Sequence, residues 1–183
     1  MPDRTDTSLT WEHPGTPDCE PGQQLFDPRH GVVVVEEVEL RMVNGQPTEY
    51  LAVRTVEGNL RILVPVASAA AALRPLMSAD EATIVLAELG TDPKPTAAWS
   101  GQGFADMQRR AVERSPLAVA GVVRDLAAKA SEARLRSVEQ TLLSKGTELL
   151  AAELSVALDL TRPETLDLID EALEQGRKAA ADS

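Results

Sequence analysis

The chain has 183 residues, of which 43% are hydrophobic and 26% are charged, so it can bury a core and fold. Only 3% of the residues are aromatic, which implies an aliphatic core and makes each tryptophan worth explaining individually. The net charge of −11 argues against a general nucleic-acid-binding protein, and the single cysteine, Cys19, excludes an intramolecular disulfide and a thiolate metal cluster.

The N-terminal segment, residues 1–22, is polar, acidic and rich in proline and glycine, and it predicts a disordered tail. Its isolated aromatic residue, Trp11, is interpreted either as a short docking anchor or as a tail residue without a role. No apolar run approaches the ~20 residues of a membrane span, and no signal-peptide pattern is present. We therefore expect a cytoplasmic protein without a membrane partner.

Residues 23–76 predict a small antiparallel β domain. A short strand near Phe26 precedes a segment, residues 38–42, in which apolar and charged side chains alternate with a period of two. Asn44-Gly45 then predicts a type I′ hairpin turn, because both positions accept positive φ. A second turn, at residues 57–59, leads to a third alternating strand. Short strands with tight turns favour a twisted sheet or an SH3-like barrel.

Residues 77–183 change to a helical period and predict a compact all-α bundle. A short helix is expected at about residues 105–114. Four N-cap signals mark the starts of the longer helices, namely Ser78, Ser115, Ser137 and Thr161. The predicted fold class is therefore α+β, with a small N-terminal antiparallel β-barrel followed by a C-terminal all-α helical bundle.

The search for catalytic chemistry finds no phosphate-binding glycine loop, no HExxH or GxSxG motif and no Cys/His metal spacing. The two histidines, His13 and His30, are far apart, and the carboxylates fall at caps and on helix faces. We therefore expect no enzyme, no cofactor and no metal. An enzyme with an unrecognised site around His30 is kept as a third alternative.

Trp99 lies in "PTAAWSGQGF" (residues 95–104), where neither a helix nor a strand pattern calls for tryptophan. The segment that follows, residues 107–145, carries eight Lys or Arg against four Asp or Glu. A tryptophan beside basic helices can stack on unpaired bases or wedge between them. It can equally fill the seam between barrel and bundle, and the residues alone leave both interpretations open.

Several short motifs follow one another in an order that is specific when taken together. In the β domain they are Phe26 to Pro28, His30-Gly31, the Asn44-Gly45 hairpin and Val64-Pro65. Downstream they are Trp99, Phe104, "VVRDL" (122–126) and "LLAAELSVAL" (149–158). In this order and spacing the chain resembles the CarD/CdnL family of bacterial RNA polymerase-binding transcription regulators, over about residues 23–176.

The resemblance implies a Tudor-like (SH3-like) barrel at residues 23–76 that binds the β subunit of bacterial RNA polymerase. It also implies a helical domain, residues 77–183, that contacts promoter DNA at the upstream edge of the melted bubble. The family's tryptophan in the loop at about residues 91–104 acts there as a minor-groove wedge. The implied polymerase contacts are Arg41, Arg61, Leu63, Val64 and Pro65. The implied DNA contacts are Trp99, Arg109, Arg110, Lys129, Arg134 and Arg136.

The chain departs from the family pattern in ways that suggest a diverged member. Basic residues commonly follow the tryptophan in the family, whereas residues 100–103 read Ser-Gly-Gln-Gly here, so phosphate contacts would pass to the downstream basic residues or be reduced. Leu63 replaces a basic residue of some members, which predicts a polymerase contact that is either more apolar or weaker. The main hypothesis is a monomeric transcription factor that stabilises the promoter open complex. The alternative is a protein-interaction adaptor without DNA contact, in which Trp99 is a structural plug.

Overall fold

A computed structural model describes residues 19–94 and 115–181 of the chain. Within them, five strands form one antiparallel sheet in the order β4-β3-β2-β1-β5. The strands are β1 (Gln24–Asp27), β2 (Gly31–Val43), β3 (Gln46–Thr55), β4 (Arg61–Pro65) and β5 (Arg74–Pro75). The helices of the described part are α1 (Val66–Ala72), α2 (Ala79–Leu89), α3 (Pro116–Glu132), α4 (Ser137–Ala157) and α5 (Arg162–Ala181). The α+β class is confirmed, and neither α1 nor β5 was predicted.

The sheet is open, so the prediction of a closed barrel is wrong. A barrel requires its first and last strands to share a hydrogen-bonded ladder, but β4 pairs with β3 and β5 pairs with β1. The two residues of β5 provide little edge to pair, and the chain turns into α1 directly after Pro65. Helix α1 contacts β3 and β4 and contributes Ala69 to the core of the sheet.

The long β2–β3 hairpin has the predicted turn, since Asn44 and Gly45 adopt φ of 52° and 80°. A register irregularity between Val35 and Glu37 interrupts the ladder. This bulge moves the alternation by one residue, so Val38 packs on the same core as Val35. The buried residues of this core are Leu25, Val33, Val35, Leu51, Val53, Val64, Ala69 and Leu73.

The helix starts agree with the predicted caps at three of four positions. Ser78 forms a reciprocal capping box with Glu81, the Ser115 hydroxyl accepts from the backbone N–H of Ala118, and Thr161 pairs with Glu164. The exception is α4, where the N-cap is one residue earlier than Ser137. There the Arg136 backbone N–H donates to the Glu139 carboxylate at 2.8 Å.

The helices share a core that is separate from the core of the sheet. Its fully buried members include Leu89, Leu150, Leu154 and Ile169, which come from α2, α4 and α5. None of the described helices is long and apolar enough to cross a membrane. The predicted tail, residues 1–22, lies almost wholly outside the described residues, and the short helix predicted at about residues 105–114 lies outside them too. The domain limits 23–76 and 77–183 stay predictions.

Candidate docking edge and basic helix junction

Strand β4 forms one edge of the sheet and contains four of the five predicted polymerase contacts. Its side chains alternate between the two faces. Val64 points into the core and is 6% exposed, whereas Leu63 is half-buried and Pro65 is exposed. A partner at this edge could therefore contact the side chains of Leu63 and Pro65. It could contact Val64 only through backbone atoms, because the Val64 side chain is buried. An open edge strand of this kind can accept an additional strand from a partner.

Arg61, at the start of β4, is held by three carboxylates of β2. Its Nε lies 2.8 Å from Glu36 Oε2, and its Nη2 lies 3.0 Å from Glu37 Oε1 and also contacts Glu39. Arg41 joins the same network through its Nε, 2.9 Å from Glu39 Oε2. Both predicted polymerase-binding arginines are therefore already ion-paired within the sheet.

The network lowers the pKa of two of its carboxyl groups. Hydrogen bonds from Arg61 and then Arg54 lower the pKa of Glu36, and those from Arg41 and then Arg61 lower the pKa of Glu39. These glutamates were not predicted as partners of the arginines. The one sequence feature that marks them is the pair of adjacent glutamates at the start of "EEVE", where the alternation of apolar and charged side chains shifts by one residue and the bulge occurs.

The junction between α3 and α4 brings together two of the predicted DNA-contacting cations. Lys129 Nζ and Arg136 Nη2 each lie 2.8 Å from the same oxygen, Oε1 of Glu139. Arg134 lies in the intervening connection; it is exposed and has no ion pair within residues 19–94 and 115–181. Trp99, Arg109 and Arg110 lie outside the described residues.

Glu139 is the anion around which this basic junction is built. The residue is 1% exposed, yet it accepts hydrogen bonds from two cationic side chains and from a backbone N–H. The side-chain hydrogen bond from Arg136, followed by that from Lys129, lowers the pKa of Glu139 to about 2. The carboxylate therefore stays charged and organises Lys129 and Arg136, while it neutralises part of their charge.

A second buried ionic cluster holds the chain where it leaves α2. Arg124 is 3% exposed and donates to Asp125 Oδ1 at 2.7 Å and to Thr91 Oγ1 at 2.6 Å. Asp125 Oδ1 also accepts the backbone N–H of Lys94 at 2.9 Å. Arg124 and Asp125 belong to the "VVRDL" motif, and together they attach the residues just before the Trp99 segment to α3.

Family models match this chain in two consecutive stretches. The CarD-like/TRCF RID domain matches residues 20–77, which include the whole sheet and α1. The CarD C-terminal domain matches residues 85–170, which run from α2 into α5. A CarD-like/TRCF RID domain followed by a CarD C-terminal domain is the arrangement of a transcription regulator that interacts with RNA polymerase. These domains are interaction modules rather than enzymes. The chain belongs to the CarD/CdnL family.

Proposed function

We propose that the sheet docks on the β subunit of RNA polymerase and that the helical part contacts promoter DNA at the upstream edge of the bubble, stabilising the open complex. The observation that carries the proposal is β4, which among the described strands pairs only with β3 and has Leu63 and Pro65 on an accessible face. Main-chain hydrogen bonds to an added strand would supply affinity, and these two side chains would supply specificity.

The ionic network beside β4 defines how Arg61 would take part in docking. Its guanidinium is already fixed by Glu36, Glu37 and Glu39, so less side-chain entropy is lost when a partner binds. The same carboxylates offset its charge. Docking would therefore depend on the edge backbone and on apolar contact by Leu63 more than on a salt bridge from Arg61.

The DNA contact would come from Lys129, Arg134 and Arg136 together with Trp99. A wedge that fits only opened DNA binds the open complex better than the closed one, and this difference in affinity shifts the equilibrium. Docking at β4 raises the effective concentration of these groups near DNA, so each contact can be weak. A net charge of −11 is compatible with DNA contact under this arrangement.

Replacing Trp99 with alanine tests the DNA contact directly. Since allosteric coupling is typically ~1–3 kcal/mol, Trp99→Ala should shorten the lifetime of the open complex about fivefold or more. Polymerase pull-down should be unaffected. Trp11→Ala is the matched control and should leave the lifetime at the wild-type value. An unchanged lifetime with Trp99→Ala would reject the wedge.

An adaptor that binds polymerase without contacting DNA is the second candidate, and the pairing of Lys129 and Arg136 with Glu139 favours it. Salt titration of DNA binding by the polymerase complex separates the two. If Arg134 contacts a phosphate, Arg134→Ala should reduce the salt-dependence slope by about one. An adaptor would give the same slope for wild type and Arg134→Ala.

A further inference from the structure

The sheet and the helical part meet through α4, on the face of the sheet opposite α1. Phe26 of β1 and Val32 of β2 pack with Leu149 of α4 in a buried cluster. Phe26 also lies directly opposite Arg74 in the β1–β5 ladder. An apolar contact of this kind holds the sheet against the helices, but it does not by itself select one orientation, because apolar packing has little directionality.

A buried ion pair at the same contact depends on the relative orientation of the sheet and α4. Glu153 of α4 is 1% exposed, and its two oxygens bind the two terminal nitrogens of Arg74 in a bidentate pair, with Oε2 at 2.6 Å from Nη2. Glu153 Oε1 also accepts the backbone N–H of Met77 at 2.8 Å. The Arg74 Cζ atom lies 4.1 Å from the centroid of the Phe26 ring. The Glu153 carboxylate of α4 thus binds both β5, through Arg74, and the segment that leads into α2, through the Met77 N–H.

The energetics of this pair point to orientation rather than stability. Burying two charges costs desolvation, and replacing a buried ion pair by apolar residues is often neutral or stabilising. In addition, Arg74 Nε is buried without a hydrogen-bond partner among the described residues, so the pair is incompletely satisfied. What the bidentate geometry does provide is a narrow range of approach angles.

We propose that Arg74 and Glu153 form an orientation lock that joins the sheet and the helices into a single rigid body. They are positioning residues: with the lock closed, docking at β4 brings the basic junction to DNA at one fixed place. This role rests on the proposed function. Without the lock, the effective concentration of the junction at its DNA site falls, while docking at β4 itself is unchanged.

The discriminating variant is Arg74→Met/Glu153→Leu, which keeps the buried volume and removes the directional ion pair, but also removes the acceptor of the Met77 N–H. Glu153→Gln, which keeps the shape and the contact with the Met77 N–H, is the milder second variant. Spin labels at exposed positions in the hairpin and in α4, Gln46→Cys and Ser144→Cys in a Cys19→Ser background, report the distance between sheet and helices. Gly176→Ala is the control for loss of stability, because the added Cβ would press on Leu89, Gly90 and Thr91 rather than on Arg74 or Glu153.

For the double variant we expect a broadened distance distribution, a several-fold shorter open-complex lifetime and unchanged polymerase pull-down. Gly176→Ala should keep a narrow distribution. A narrow distribution in the double variant would overturn the lock. A broadened distribution with a wild-type lifetime, in a system where Trp99→Ala does shorten it, would overturn its functional role alone. The distance measurement needs no DNA, so it decides the lock even if Trp99→Ala rejects the proposed function.

Discussion

Glu139 illustrates at the residue scale how one buried carboxylate arranges its surroundings. It lies at the start of α4 and accepts from Lys129, from the Arg136 side chain and from the Arg136 backbone N–H. Its burial would raise its pKa, but these donors dominate and lower it to about 2. The residue therefore contributes stability that depends on pH, and it fixes the place of two cations that we assign to DNA contact.

The stability that Glu139 contributes depends on pH, because the pKa of its carboxyl group differs between the folded and the unfolded protein. Glu139 takes up a proton near 4.5 in the unfolded chain and only near about 2 in the folded protein, so the unfolded chain binds more protons between these values. The stabilisation is complete above pH 4.5 and is lost as the pH falls toward 2. Glu139→Gln should cost ~1–3 kcal/mol at pH 7.

Urea unfolding of wild type and Glu139→Gln between pH 7 and pH 3 measures this effect. The difference in unfolding free energy should shrink as the pH falls. Glu132→Gln, which changes an exposed carboxylate at the end of α3, is the matched control and should parallel the wild type at every pH. A difference between wild type and Glu139→Gln that stays constant with pH would contradict the assigned charge.

The crossing of α5 over the end of α2 shows at the element scale how close approach depends on glycine. A Cβ added to Gly176 would lie 2.5 Å from the carbonyl oxygen of Thr91 and 3.2 Å from the carbonyl carbon of Gly90. Both are backbone atoms, which cannot rotate away as a side chain can. Gly121 of α3 differs, since its nearest neighbour would be a flexible Glu88 side-chain oxygen at 3.5 Å.

We therefore expect opposite outcomes for the same substitution at two helical positions. Gly176→Ala should destabilise the protein by ~1–3 kcal/mol, because the helices must separate or distort. Gly121→Ala should be neutral or stabilising by up to ~1 kcal/mol, since alanine is the better helix former. Thermal and urea unfolding measure both. Equal stability changes for the two variants would show that the α2–α5 contact is looser than described.

In the whole molecule, the proposed contact with polymerase and the proposed contact with DNA lie on different layers, the sheet and the helices. The docking edge belongs to the sheet, the basic junction belongs to the helices, and the Arg74–Glu153 pair connects the layers. A change at the docking edge should therefore abolish both activities, whereas a change at the junction should affect only DNA contact.

Leu63→Glu and Arg134→Ala test this separation. Leu63→Glu should reduce polymerase pull-down and, with it, the open-complex effect, because it places a charge on the accessible face of β4 where we propose apolar contact. Ile84→Glu, an equally drastic change at an exposed position of α2, should bind polymerase normally. Arg134→Ala should bind polymerase normally but shorten the open-complex lifetime. Loss of polymerase binding with Arg134→Ala would place the docking surface elsewhere.

Structural features that depend only on residues close in sequence were predictable from the amino-acid sequence. The Asn44-Gly45 turn, the Ser78 and Ser115 caps and the change of period near residue 78 all follow from backbone preferences and side chains within a few residues. The ordered motifs also carried the family resemblance, which the two domain matches confirm.

Three features depend on long-range packing and were not predictable from the sequence: whether the sheet closes, which face of β4 is accessible, and how the sheet and the helices are joined. Val64 belongs to a strand with alternating side chains, and the structure shows that its face is the core, where it packs in one cluster with Val53 of β3 and Ala69 of α1. Arg74 and Glu153 are 79 residues apart, and Arg61 is 25 residues from Glu36, so no local pattern pairs them. Such contacts depend on topology, because chain segments distant in sequence meet only after the elements have packed.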